Sequence, residues 1–296
     1  GATRVGRQGC CLRRCARRAV ERQPPTVSAW RESDVTTTIE AKRDGDWLTI
    51  ALARPDARNA LSSKMVAELL ALLDTTAEDA SIRGITLRGQ GRVFCAGGDL
   101  KGFGRSLDDP EAAAAIEASS RAAGTLFHRV ATMPQTTIMA VHGAAMAGGM
   151  GLACAGDLNI VTADCRFVLT ETRLGIVPAQ IAPFVVARAG LPAARRLMLT
   201  GAQFDGKAAF ELRIADEVVA DTAALDATEA SLRADVLACA PGANAATKRL
   251  LQTLAPVDAE TFVNHAATVF RECLQSDEGR EGMAAFVGKR KPGWQP

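Results

Sequence analysis

The chain has 296 residues, 48% hydrophobic and 23% charged. That is ample apolar material for a sizeable core and excludes both disorder and a fold dependent on covalent staples. Its formal charge of +2 hides an asymmetry: residues 1–22 carry seven arginines against Glu21, +6 in all, which leaves −4 for the remainder, a poor electrostatic match for nucleic acid. No apolar run reaches the ~18 residues of a membrane span. The richest stretch, 136–161, is broken by His142, by glycines and by Asp157. The expectation is a soluble protein with no membrane and no nucleic-acid partner.

Residues 1–27 are basic, poor in acids and end in Pro24-Pro25. They read either as a transit-type leader or as an upstream extension that packs against nothing, and fold reasoning starts at residue 28. Of eight cysteines, three (Cys10, Cys11, Cys15) lie in this leader, while Cys95, Cys154, Cys165, Cys239 and Cys273 are scattered singly. With no C-x-x-C pair and only three widely separated histidines, a metal site has no support. Buried free thiols and a cytoplasmic location are expected.

From residue 28 the pattern alternates. Residues 46–52 read as a strand and 62–74 as an amphipathic helix; 82–87 read as a buried strand, followed by a glycine-punctuated loop over 89–102. Residues 111–130 are helical and rich in alanine. A short apolar strand over 137–142 runs into a glycine loop, 143–151, with a helix starting near 149. Strands follow at 158–163 and 166–169, and beyond Pro183 the chain is mostly helical, to 287. Repeated strand–helix units before a helical tail indicate an α/β fold, divided as leader 1–27, core 28–225 and helical C-terminal region 226–296.

Two loops carry candidate chemistry: Phe94-Cys95-Ala96-Gly97-Gly98-Asp99-Leu100-Lys101 and His142-Gly143-Ala144-Ala145-Met146-Ala147-Gly148-Gly149-Met150-Gly151. Glycines there let a ligand approach main-chain N–H groups, and a helix starting near Gly149 aims its unpaired amides at that ligand. Two amides converging on one carbonyl oxygen make an oxyanion hole. Taken singly, each loop reads equally as a turn with tight packing. A third segment, Thr170-Glu171-Thr172-Arg173-Leu174-Gly175-Ile176-Val177-Pro178, sets a carboxylate at a strand end among apolar residues. That suits an acid or base, or else a solvated glutamate paired with Arg173.

In order along the chain, Arg54-Pro55 with Arg58-Asn59-Ala60-Leu61, then 94–100, then 142–151, then Glu171 with Gly175-Ile176-Val177-Pro178, resemble the crotonase (enoyl-CoA hydratase/isomerase) superfamily. The run Glu281-Gly282-Met283-Ala284-Ala285-Phe286 with Lys289-Arg290-Lys291-Pro292 is similar to that family's C-terminal end. The resemblance implies a spiral of ββα units with a helical C-terminal region. It also implies an acyl-CoA thioester as substrate, with coenzyme A entering as part of it and no separate cofactor, and assembly as a homotrimer or hexamer. On this sequence the oxyanion-hole amides are Gly98 and Gly148, and the acid/base is Glu171. Ala60, Ala96, Gly97 and Leu100 line the path of CoA; Asp99 and Lys289 are further contacts, Lys289 toward a neighbouring subunit's nucleotide or as part of a solvated basic tail.

One departure matters. Hydratases of this family commonly place a second glutamate three residues after the second amide, and here that position is Gly151. Segments 148–152, 170–175 and 178–186 resemble the branch that includes isohexenylglutaconyl-CoA hydratases, which act on branched glutaconyl thioesters in acyclic terpene breakdown. Glu171 then serves alone, and Arg173, if turned inward, pairs a distal substrate carboxylate. Double-bond isomerisation, thioester hydrolysis or decarboxylation, and a non-catalytic scaffold that binds CoA esters or a partner remain open on the same residues.

Overall fold

The computed structural model describes Gly1 and residues 38–99, 110–253 and 259–295. The expected leader beyond Gly1, Leu100 and residues 101–109 lie outside the described residues. In chain order run β1 (Ile39–Asp44), β2 (Trp47–Leu52), α1 (Ser63–Glu78), β3 (Gly84–Gly89), α2 (Pro110–Thr132), β4 (Thr136–Val141), β5 (Ala144–Met146), α3 (Gly148–Ala155), β6 (Leu158–Thr162), β7 (Arg166–Val168), α4 (Ala182–Thr200), β8 (Gln203–Phe204), α5 (Gly206–Glu211), β9 (Glu217–Val219), α6 (Thr222–Ala238), α7 (Pro241–Gln252), α8 (Ala259–Gln275) and α9 (Asp277–Val287).

Two sheets share these strands. One has six strands in the order β1-β2-β3-β4-β6-β9, antiparallel at the β1 edge and parallel elsewhere; the other joins β5, β7 and β8. The chain winds between them: β4 lies in the large sheet and β5 in the small one, β6 in the large and β7 in the small. Each turn of this spiral advances one strand and then lays down a helix, α3 after β5 and α4 after β7. The repeat is therefore one of backbone path, with no counterpart in residue identity. The fold is mixed α/β, with a spiral of ββα units and a helical C-terminal end.

Local chemistry explains most boundaries. Ser62 caps α1 by accepting from the Met65 N–H, and the buried stripe Met65, Val66, Leu69, Leu72 and Leu73 follows the helical period. β3 and β4 are buried along nearly their whole length, as parallel strands covered on both faces must be. β1 carries no such signal: Ile39 alone is buried and its other five side chains are exposed, so only its pairing with β2 makes it a strand. β5 has three residues inside what the sequence reads as a glycine loop. α4 is two helices joined at Gly190, whose φ of 74° breaks the ladder two residues before Pro192. Of the five described cysteines, Cys95, Cys154 and Cys165 are buried, whereas Cys239 is exposed and Cys273 half-buried, contrary to the expectation that all would be buried. No described helix is long and apolar enough to cross a membrane.

The C-terminal helices attach to the sheet through specific polar anchors. Leu225 of α6 packs with Trp47, Ile138, Ala140 and Ile160. The Arg83 guanidinium donates to the carbonyls of Leu237, Cys239 and Trp294, tying the end of α6 and the chain's end to the start of β3. In α7, Lys248 reaches Asp157 at 2.6 Å and the Gln135 carbonyl at 3.2 Å; Asp157 also accepts from the Thr137 N–H and hydroxyl. Desolvation lowers the Lys248 pKa, and Asp157 opposes that shift. Asp157→Ala leaves a buried ammonium unpaired and is expected to destabilise by about 3 kcal/mol, read as a lower urea midpoint. Adding Lys248→Met should restore most of the loss; a single variant within 1 kcal/mol of wild type would deny the pair this role.

Candidate active site

Three strand ends lie side by side. Cys95 forms a parallel bridge with Ala145, and Ala145 pairs with Phe167 in the parallel β5–β7 ladder. The Cys95 N–H donates to Ala144 O (3.1 Å), Met146 N–H to Cys95 O (3.0 Å) and Ala147 N–H to Val168 O (2.9 Å). Three residues beyond each member of that row come Gly98, Gly148 and Thr170, with Glu171 next. Backbone register alone thus gathers the three motifs that are far apart in sequence.

The first loop is turned by a second parallel bridge, Leu61 to Gly98. Leu61 N–H donates to Gly97 O at 2.8 Å and Asp99 N–H to Leu61 O at 3.1 Å, so the Gly98 N–H faces away from that bridge, with no acceptor among the described residues. Gly97 has φ +98°, a conformation L side chains rarely adopt, and a Cβ there would stand 2.9 Å from Met146 O and 3.4 Å from Gly148 N. The two loops therefore meet backbone to backbone.

Gly148 opens α3, and its N–H also has no acceptor among the described residues. Ala147 before it sits at φ 48°, ψ −119°, a strained position for a residue with a Cβ that costs about 1–3 kcal/mol. Its N–H bond to Val168 O and the Gly151 N–H bond to Ala147 O (3.1 Å) hold it there. A Cβ on Gly148 would lie 3.5 Å from Gly98 N, in ordinary contact, whereas one on Gly149 would come 2.3 Å from Cys95 O. Two free amides beside one another, one at a helix start, can accept a single oxygen that is gaining negative charge.

Glu171 begins a short 3-10 turn, Glu171–Leu174, closed by Gly175 at φ 76°. Its side chain is 9% exposed, Oε2 is buried without a hydrogen-bond partner, and burial pushes its pKa up. It is not paired with Arg173, whose exposed side chain lies against Gly201 at the C-terminus of α4, where a cation suits the helix dipole. The inward-turned Arg173 is accordingly not what the structure holds. At Gly151 a Cβ would collide with Ile181, 2.0 Å from Cγ2 and 2.6 Å from Cβ, so the place a second carboxylate would need is filled by a buried aliphatic side chain. Burial raises the Cys95 and Cys154 thiols to about 12, which excludes either as a thiolate nucleophile near neutrality.

The remaining expected residues divide. Gly97, Ala96, Ala60 and Asp99 gather around the Leu61–Gly98 bridge: Ala96 N–H donates to Arg58 O, Ala60 N–H to Ala57 O, and the Ala60 carbonyl accepts from Arg54 at 2.7 Å. Asp99 pairs with Arg54 at 3.0 Å. Lys289 is exposed after α9, in the C-terminal tail that Arg83 ties to the start of β3; the glycine amides lie beyond the opposite end of that strand. Within one chain the structure does not bring Lys289 to them. Four residues had no assigned role in the sequence reading. Arg54 and Asn59 are visible there as motif members: buried Asn59 donates to Gln90 O and Val93 O and accepts from Arg54 N–H. Ala147 and Ile181 also stand in motif segments, but nothing there marked their tasks, the one because its strain comes from its neighbours, the other because it meets Gly151 across 30 residues.

Fold and site define an α/β enzyme of the crotonase type. The family model described as enoyl-CoA hydratase/isomerase matches residues 44–296, and the chain belongs to that family. Among solved structures it is similar to Pseudomonas aeruginosa AtuE, with 43% identity, a TM-score of 0.84, and 88% of this chain and 100% of that one covered. It is 32% identical over 260 residues to enoyl-CoA hydratase ACTT6 of Alternaria alternata, covering 86% of this chain and 84% of that protein. It is 31% identical over 251 residues to the 1,2-epoxyphenylacetyl-CoA isomerase of Escherichia coli K12, covering 83% and 93%.

The two neighbouring glycines give a paired test. Gly148→Ala is expected to fold with an unchanged melting temperature and to lose about 10²-fold in kcat, because its methyl crowds the space before the Gly98 amide. Gly149→Ala is expected instead to destabilise, since Cys95 O must move. Thermal melts and initial rates on both variants check this.

Proposed function

We propose that this protein adds water across the α,β double bond of an enoyl-CoA thioester, with a single carboxylate, Glu171, handling the protons. The observation that carries this reading is the buried Glu171 carboxyl, its Oε2 without a partner, beyond the same strand ends as two free amides, with Gly151 sealed by Ile181. The thioester oxygen sits between the Gly98 and Gly148 N–H groups, which bind it more strongly as enolate charge develops than in the ground state. The oxygen of water bonds to Cβ, its proton passes to the Glu171 carboxylate, and Glu171 returns a proton to Cα; the thioester gains one water and the enzyme is unchanged.

The branched glutaconyl class is the substrate that best fits one carboxylate, since such an acyl group brings a carboxylate of its own. The resemblance of segments 148–152, 170–175 and 178–186 to that branch supports this choice. A mass-neutral double-bond shift is the second reading, favoured by the same loss of a second acid at Gly151. We also propose that the C-terminal helices assemble the chain as a trimer or hexamer. Phe270, Met283, Phe286 and Val287 are half or more exposed on α8 and α9, and light scattering at micromolar concentration reads the mass directly.

The test is mass-resolved turnover of crotonyl-CoA, 3-methylglutaconyl-CoA, isohexenylglutaconyl-CoA and a 3-enoyl-CoA by wild type and Glu171→Gln. A water adduct from the glutaconyl thioesters, with kcat lowered about 10²–10⁴-fold in the variant, is expected. A mass-neutral product from the 3-enoyl ester selects isomerisation, and a variant within a few-fold of wild type removes Glu171 from the chemistry. Because burial raises the Glu171 pKa, wild-type activity should fall at acid pH with an inflection above the ordinary glutamate range. The linked stability has a definite sign. Native Glu171 binds more protons than the unfolded chain does, so stability falls as pH rises from the unfolded to the folded pKa and the penalty is complete above it. Glu171→Gln should therefore be more stable than wild type at pH 7, with the gain vanishing in acid.

A further inference from the structure

Gly98 offers its N–H only while the two peptides flanking it keep their direction. Both are fixed to the backbone of one residue, through Leu61 N–H to Gly97 O and Asp99 N–H to Leu61 O. Leu61 is packed in the core, and one polar side chain braces the chain on both sides of its bridge. Arg54 donates through Nη1 to Ala60 O at 2.7 Å and through Nη2 to Asp99 Oδ2 at 3.0 Å. Its guanidinium thus bridges the residue before Leu61 and the residue after Gly98. The pair is about one-quarter exposed, 26% for Arg54 and 20% for Asp99, so water competes with it less than at an open surface. Arg54 is itself anchored: its N–H donates to Asn59 Oδ1 at 2.9 Å, and the Asn59 amide is spent on Gln90 O and Val93 O, each at 2.9 Å.

A planar guanidinium suits this double role, because its separate N–H groups meet a carbonyl and a carboxylate in one fixed geometry. Asp99 has a part in the arrangement: its carboxylate pairs with Arg54, a task inside the loop.

We propose that Arg54 is a positioning residue for the oxyanion amide, a clamp that acts through Ala60 and Asp99 to hold the Gly98 N–H in register with that of Gly148. The inference rests on the reading of Gly98 as a substrate-binding amide. Loosening the clamp leaves the binding surface in place and lets the donor wander. Its effect therefore falls on the step in which charge develops on the oxygen.

The experiment uses Arg54→Met, Arg54→Lys, Asp99→Asn and the double variant Arg54→Met/Asp99→Asn. Three quantities are read: kcat and KM on whichever thioester the wild type turns over, affinity for free CoA by calorimetry, and hydrogen exchange of the peptide spanning residues 95–99. Arg54→Met is expected to lower kcat about 10–100-fold with KM and CoA affinity within about three-fold of wild type. Asp99→Asn should lower it less. The double variant should match Arg54→Met alone, and Arg54→Lys should recover part of the rate, because one ammonium cannot serve both acceptors at once. Exchange in 95–99 should quicken in every variant. A kcat within two-fold of wild type in Arg54→Met with unchanged exchange overturns the clamp, and so does a loss confined to KM and CoA affinity, which would put Arg54 and Asp99 on the nucleotide. Should Arg54→Met fail to fold, the near-isosteric Asp99→Asn decides by the same readings. A wild type that turns over no thioester defeats the functional reading, whereas the exchange measurement still judges the clamp.

Discussion

The lateral pairing of Cys95, Ala145 and Phe167 is the constraint on which the site depends. It is made of main-chain bonds only, and every element of the candidate chemistry hangs three or four residues beyond it. Backbone pairing suits this task because a free N–H donor must be aimed without a side chain to aim it. The preceding peptides are locked in a ladder, and the next one is released at a turn. Close packing of the loops then follows from small residues: Gly97 accepts Met146 O and Ala147 against it, and Gly149 accepts Cys95 O. The glycines are where they are because two backbones share one space.

Several local costs meet at the same place. Two amides and one carboxyl oxygen lack partners among the described residues, Ala147 is strained, and burial disfavours the charged form of Glu171. Elsewhere some buried polar groups are fully served and others are not: Thr137, Asp157 and Lys248 satisfy one another and Asn59 uses both its oxygen and its amide, whereas Gln135 Oε1, Asn159 Oδ1 and Thr162 Oγ1 lack partners. A surrounding core that includes Phe94, Phe167, Leu152 and Val185, all fully buried, holds the unsatisfied groups in place. What sets the site apart is the kind of group left free: two main-chain donors and a carboxyl oxygen beyond one row of strand ends suit a ligand's oxygen and protons.

How much of this was legible in the sequence depended on range. Burial period and capping residues mark α1, β2, β3 and β4 within a few residues, because the forces that set them act within a turn or across one face. β1, β8 and β9 exist by pairing with partners elsewhere; β1 buries one side chain and β8 has two residues, so neither leaves a pattern. For the site, the glycine loops and Glu171 were readable as motifs, and the register that unites them was not. Arg54 and Asn59 stood in the motif without a task, since apart from Asp99 their hydrogen-bond acceptors are carbonyls, and any sequence supplies carbonyls. Arg173 was open between a substrate ligand and a surface cation, and a short 3-10 turn that carries it to Gly201 makes it the latter.

Gly151 and Ile181 together say more than either does alone. A glycine in place of a glutamate could by itself leave a hollow that water occupies, and ordered water could still take part in a proton relay. Ile181 removes that option: it is 3% exposed and its methyl group occupies the position of the missing Cβ. Burial likewise raises the cost of ionising Glu171, which suits a carboxyl that must exchange a proton. Ile181 also precedes α4, whose Phe184 packs edge-on against Phe127 of α2 with ring centroids 6.1 Å apart, so the substitution is built into the packing of two helices. Putting a glutamate back at 151 would require moving that packing, so a carboxylate cannot be supplied from this position without repacking α3 against α4.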